Sequence, residues 1–93
     1  MTFEIKYIDS VQKEDLPKLS KTAKNNIKKA IEKKLVNEPE LYGKPLRRSL
    51  KGYRKLRVED YRVIFRIHRK IVKIIIIQHR SVVYKHTSIR INE

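Results

Sequence analysis

The stretch from Tyr53 to Tyr84, YRKLRVEDYRVIFRIHRKIVKIIIIQHRSVVY, decides the fold. Apolar and cationic residues alternate through its first half with the period of two that marks a half-buried strand. Three strands are expected in it: Tyr53 to Val58, Tyr61 to about Ile67, and Ile71 to about His79. Glu59-Asp60 and His68-Arg69-Lys70 join them, and connections this short imply antiparallel neighbours and therefore a meander. Neither connection carries a turn signal of the Asn-Gly type.

Alternation also assigns the two faces. Leu56 and Val58 oppose Lys55 and Arg57, while Tyr61, Val63, Phe65 and Ile67 oppose Arg62, Ile64, Arg66 and His68. The apolar set is expected beneath helices, leaving Lys55, Arg57, Arg62 and Arg66 on an open face. Ile71 to Ile77, apolar on both sides apart from Lys73, reads as the most buried strand. Gln78, His79 and Arg80 are polar again, and if the chain turns helically there, Arg80 and Tyr84 fall one turn apart on the same side. The expected product is a cationic concave surface rimmed by His79, Arg80 and Tyr84. Such a surface suits a phosphodiester backbone.

Upstream of this block, Thr2 to Ile8 alternates as a strand. Asp9 or Ser10 is placed to cap a short helix over Val11 to Leu16, which Pro17 breaks or restarts. Ser20 then caps a longer helix whose Ala23, Ile27, Ala30, Ile31 and Leu35 form one stripe, its other faces being rich in Lys. Asn37-Glu38-Pro39 ends it, residues 38 to 52 read as a loop with Pro39, Gly43, Pro45 and Gly52, and no helical pattern follows. The order strand, two-helix hairpin and three-strand antiparallel meander packed against the helices is an α+β fold. No repeat or low-complexity segment interrupts it, so residues 1–93 are expected to form a single domain.

Charge is divided unevenly along the chain. Of the net +14, residues 1–42 carry +2 and residues 43–93 carry +12, and all nine Arg lie in the second part. The planar guanidinium fork suits phosphate oxygens, whereas Lys on a helix is often only a solvated face. A chain of 93 residues buries only about 60 to 65% of its unfolded surface, so a small core and no large internal cavity are expected. The absence of Cys removes disulfide and thiolate-metal chemistry, and three scattered His do not make a metal site. The first ten residues lack the apolar segment of a signal peptide, and the longest apolar run, Ile74 to Ile77, is too short for a bilayer. These features predict a soluble, cytoplasmic protein with no membrane partner.

Leu50-Lys51-Gly52-Tyr53-Arg54-Lys55-Leu56-Arg57-Val58, then Asp60-Tyr61-Arg62-Val63-Ile64-Phe65, and finally His79-Arg80 with Tyr84 four places on, resembles the RelE/ParE superfamily of toxins from toxin–antitoxin pairs. The resemblance covers nearly the whole chain, since the preceding strand and helical hairpin fit the same fold. Its RelE branch implies a metal- and cofactor-independent endoribonuclease that enters the ribosomal A site and cuts mRNA there. Attack by the 2′-oxygen on phosphorus needs a proton acceptor, a group to protonate or neutralise the leaving 5′-oxygen, and cations around the phosphorane.

By the resemblance Lys55, crowded by Arg54, Arg57 and Arg62, matches the family's base; the alternative is a strand lysine on a wet face. Arg62 matches the arginine that holds the scissile phosphate, its alternative being a surface pair with Asp60 or Glu59. Tyr84 matches a tyrosine that stacks on or orients the nucleotide, its alternative being apolar packing on the sheet. The chain departs from the family pattern at Gln78, which stands where an arginine is taken as the acid and has no labile proton to give. His79 or Arg80 then has to substitute, and an imidazole serves as acid or base near neutrality; the competing reading of His79 is a structural hydrogen-bonding residue. Arg66 extends the cationic face, and Arg47, Arg48 and Lys51 sit where the loop before the sheet can reach ribosomal RNA. His68 and His86 read as solvated.

The resemblance also implies a cognate antitoxin with an acidic binding segment, which would neutralise the cationic site. Two other classes fit the same residues. One is the ParE branch, a non-nuclease poison of DNA gyrase, and the other is an inactive nucleic-acid-binding partner protein.

Overall fold

The computed structural model describes residues 2–92. Strand β1 (Glu4–Tyr7) leads through a short π-helical segment, Val11–Asp15, and a 3-10 turn, Leu16–Lys18, into helix α1 (Lys21–Ala30), which runs on as a wider turn over Ile31–Leu35. Helix α2 (Pro39–Tyr42) and strand β2 (Lys44–Pro45) follow, then β3 (Arg54–Val58), β4 (Tyr61–His68), β5 (Ile71–His79) and helix α3 (Val83–Ile91). The five strands form one sheet in the order β1-β5-β4-β3-β2, antiparallel throughout except for β1 beside β5. The α+β class and the meander agree with the sequence.

Ser20 caps α1 as expected, its hydroxyl accepting from the Ala23 N–H at 3.1 Å. The apolar stripe of α1 puts Ile27, Ile31 and Leu35 out of reach of water, against Leu56, Val58, Val63, Phe65, Val72, Ile74 and Ile77 on one face of the sheet. Each such side chain contributes about 1.5–3 kcal/mol on leaving water. Gly43, between α2 and β2, is forced by this packing: a Cβ there would lie 2.1 Å from the Phe65 ring.

Three sequence expectations need correction. Residues 38–52 are not simply a loop, because α2, the two-residue β2 and a 3-10 turn, Arg48–Leu50, lie within them. Helical structure does return after residue 52, in α3, which lays Val83 on Ile64 and Ile76 and closes the middle of the face expected to be open. Ile64 is consequently sealed from water rather than exposed.

The third correction concerns the phase of β5. Ile64 pairs with Ile76 but Phe65 pairs with Ile74, so Ile75 is an extra residue, a bulge. Before it Val72 and Ile74 face α1; after it Ile77 does, so Gln78 joins the face of Arg62 and His79 joins the α1 side with Tyr61. Uninterrupted alternation from an outward Lys73 would have pointed His79 the other way.

β1 pairs with β5 only over Ile71–Ile74, which leaves the far half of that edge without a strand. Two side chains take the strand's place. The Ile77 N–H donates to Asp15 Oδ2 at 3.0 Å, and Arg90 Nη1 donates to the carbonyl of the bulged Ile75 at 3.0 Å. Asp15 and Arg90 are joined by a two-pronged ion pair at 2.7 and 3.0 Å, with Asp15 nearly sealed from solvent. One charged pair thus satisfies a sheet edge and fastens α3 to the first helical segment.

Candidate nucleic-acid interface

The face of the sheet turned away from α1 is organised in rungs, because residues paired across neighbouring strands share a side. One rung joins Arg57, Arg62 and Gln78; the next joins Lys44, Lys55, Ile64 and Ile76; a third joins Arg66, Lys73 and Lys6. Lys55 Nζ lies 5.7 Å from the centre of the Tyr84 ring, and the Arg66 guanidinium lies 5.9 Å from that of Tyr53. Tyr84 itself packs beside Ile64, Ile76 and Val83. The ring thus has an apolar seat, with Lys55 over it.

Arg62 is half-buried and donates to the carbonyls of Glu59 and Tyr61 at 2.9 and 2.8 Å. It does not pair with either turn carboxylate. Glu59 instead accepts from Asn26 at 3.1 Å, and Asp60 faces Arg80 at 3.7 Å with both side chains largely in water, a contact worth little. Among the described residues Lys55, Arg57, Arg62 and Arg66 have no carboxylate in ion-pair range. An unneutralised set of cations held on rigid strands is an anion-binding surface.

Not every residue expected there belongs to it. Arg54 points to the α1 side and donates to the carbonyls of Gly43 and Glu40 at 2.9 and 3.4 Å, closing the end of α2. His79 lies across the sheet from Lys55, edge-on to Tyr61 with ring centres 6.0 Å apart, and its Nδ1 accepts the Ser81 N–H at 3.1 Å. Its structural reading is the one that the geometry favours. Arg80 sits at the β3–β4 turn, its N–H donating to the Asp60 carbonyl at 2.8 Å. Arg47, Arg48 and Lys51 are exposed in the segment ahead of β3, and Leu46 of that segment packs with Tyr53 and Tyr84, so they border the same face.

The ties made by other side chains here were invisible to sequence reading. Lys44 reaches Lys55's rung only because β2 forms, and nothing in Gly43-Lys44-Pro45 announces a strand. Gln78 is a connector: its amide nitrogen donates to Asp15 Oδ1 at 3.1 Å and its oxygen meets His86 Nδ1. His86, expected to be merely solvated, is exposed yet fixed by that bond.

On the α1 side, Tyr7 lines an apolar hollow of about 220 Å³ with Leu16, Ile27 and Ile31. Burial, aided by the negative charge of Glu32, pushes its hydroxyl above the ordinary tyrosine value of 10.0. Among the described residues no cluster of three His, Cys, Asp or Glu is placed to hold a metal ion. Nor is any described helix long and apolar enough to cross a membrane.

Fold and surface together define a class. Residues 5–84 match the ParE toxin family of type II toxin–antitoxin systems, and the chain belongs to that family, within the RelE/ParE superfamily. Among solved structures it is similar to the Mycobacterium tuberculosis toxin–antitoxin complex RelBE2, with 29% identity and a TM-score of 0.80 over 86% of this chain and 100% of that one. A mutant of Escherichia coli RelE in the free state matches at 21% identity and a TM-score of 0.74, over 98% of this chain and 99% of that one. E. coli YafQ matches at 19% identity and a TM-score of 0.58, over 88% and 98%. By sequence, no curated protein matches significantly.

Proposed function

We propose that the chain is the toxin of a type II pair and an endoribonuclease that enters the ribosomal A site and cuts mRNA without a metal, stopping translation. The observation that carries this reading is the rung of Arg57 and Arg62 beside Lys55 and Tyr84, four side chains on one face with no carboxylate among the described residues paired to the three cations. Lys55 takes the 2′ proton as the 2′-oxygen bonds phosphorus. Arg62 and Arg57 hold the phosphate as negative charge builds on it, Tyr84 orients the nucleotide, and the bond to the 5′-oxygen breaks. The products are a 2′,3′-cyclic phosphate and a 5′-hydroxyl. Arg66, Arg47, Arg48 and Lys51 bind flanking message and ribosomal RNA, and Arg80 adds positive charge at the turn.

The partner that silences it is a cognate antitoxin carrying an acidic segment, as the RelBE2 neighbour is a toxin–antitoxin complex. A ribosomal target implies action in the cytoplasm. Primer extension on a translated messenger tests the proposal. Wild-type protein leaves codon-phased breaks, and Arg62→Ala lowers the cleavage rate about 10²–10³-fold, as loss of a transition-state charge partner does. The ParE family match favours one competing reading, inhibition of DNA gyrase. Intact message together with gyrase-dependent DNA breaks would establish that reading instead.

A further inference from the structure

We infer that His86 is the proton donor to the leaving 5′-oxygen, an assignment that rests on the cleavage reading above. Asp15 receives four donors, from Ile77 N–H, Gln78 Nε2 and both Arg90 nitrogens, and so acts as a carboxylate with nothing to give. Facing it, the Gln78 amide has to present nitrogen, which turns its oxygen toward His86. An oxygen acceptor there fixes the proton of His86 on Nδ1 and leaves Nε2 as the outward atom of an exposed ring. When the ring is charged, Nε2 carries the transferable proton.

Placement matches the reaction. Gln78 stands directly opposite Arg62 on the same face of the sheet. Across β3, β4 and β5 the order is therefore Lys55, Arg62, then Gln78 with His86: acceptor, phosphate holder, donor. Adjacent strands are about 4.8 Å apart, so β3 and β5 flank the strand of Arg62 at about 10 Å from each other, which sets the acceptor and the donor on opposite sides of the phosphate holder, as an in-line displacement needs. Helix α3 carries both Tyr84, over Lys55, and His86, beside Gln78; Val83 in the apolar strip and Arg90 on Asp15 hold it down. Neither competitor is as well placed. His79 pairs with Tyr61 on the α1 side of the sheet and its Nδ1 is taken by the Ser81 N–H, and a guanidinium does not release its proton. His86 lines two adjoining hollows, one with Glu14, Lys18, Gln78 and Arg90 and the other with Asp15, Lys18, Gln78 and His79.

The step moves one proton from Nε2 of the charged ring to the 5′-oxygen as the P–O5′ bond breaks, and solvent reprotonates the ring. His86→Asn tests it, since the asparagine amide keeps a donor for Gln78 but has no titrating nitrogen. Ribosomes stalled on a messenger with either the natural linkage or a single 5′-bridging sulfur at the cut are the probe, because a thiolate leaves without a proton. The variant is expected to cut the natural linkage about 10²–10⁴-fold more slowly and the sulfur linkage within a few-fold of wild type. The alkaline fall in kcat on the natural linkage is expected to vanish on the sulfur one. Equal slowing on both linkages, no slowing, or a larger loss from His79→Gln overturns the assignment alone. Wild-type protein cutting neither linkage overturns the cleavage reading itself.

Discussion

On the side of the sheet covered by α1, Val63, Phe65, Ile74 and Ile77 are sealed against Ile27, Ile31 and Leu35, whereas on the other side Arg57, Arg66 and Lys73 stand in water around a narrow strip of Ile64, Ile76 and Val83. The difference separates stability from binding. Most of the apolar burial lies on one face, so the other can hold cations whose mutual repulsion opposes folding. Such an arrangement needs a fastening where the faces meet, and the Asp15–Arg90 pair at the open edge of β5 supplies it.

The fastening is the place to strain this division hardest. Asp15→Ala takes the buried carboxylate away from Arg90 and the Ile77 N–H, and the loss is expected to reach about 3–5 kcal/mol, read from the denaturant midpoint. A midpoint unchanged within error would mean that the edge is held some other way. On the apolar face, Ile31→Ala is expected to cost about 2–5 kcal/mol while leaving cleavage per folded molecule intact, which active-site titration against circular dichroism can measure. A cleavage loss beyond the unfolded fraction would show that the two faces are coupled. The smallest effect belongs to Tyr7. Its folded hydroxyl holds a proton more tightly than the unfolded one, so its stabilising share is complete below about pH 10 and is lost as pH rises through the raised folded value. Melting temperatures from about pH 9 to 11 are expected to fall more steeply for wild type than for Tyr7→Phe; parallel slopes would exclude the burial.

The meander and the α1 stripe were legible because each writes its own period into the chain: alternating Arg62, Val63, Ile64 and Phe65 in the one, Ile27, Ile31 and Leu35 in the other. Helix α3 was not, since its Val83, Tyr84, Thr87 and Ile89 are strand-formers by propensity, and the helix is held where Val83 and Tyr84 pack on Ile64 and Ile76. The cationic floor of Lys55, Arg57 and Arg62 followed from alternation. Its rim did not, because four consecutive isoleucines carry no record of which one is the bulge. His79 was consequently read onto the cationic side, and His86 was passed over. The joining of Asp15, Gln78 and Arg90 spans 75 positions of chain and leaves no local trace.

The bulge at Ile75 gives the isoleucine run one residue of slack. Deleting that residue would straighten the strand and leave Gln78 and His79 on their present sides, whereas flattening the bulge with all four isoleucines kept would exchange them. Asp15 would then meet an imidazole, and Arg62 would lose its neighbour.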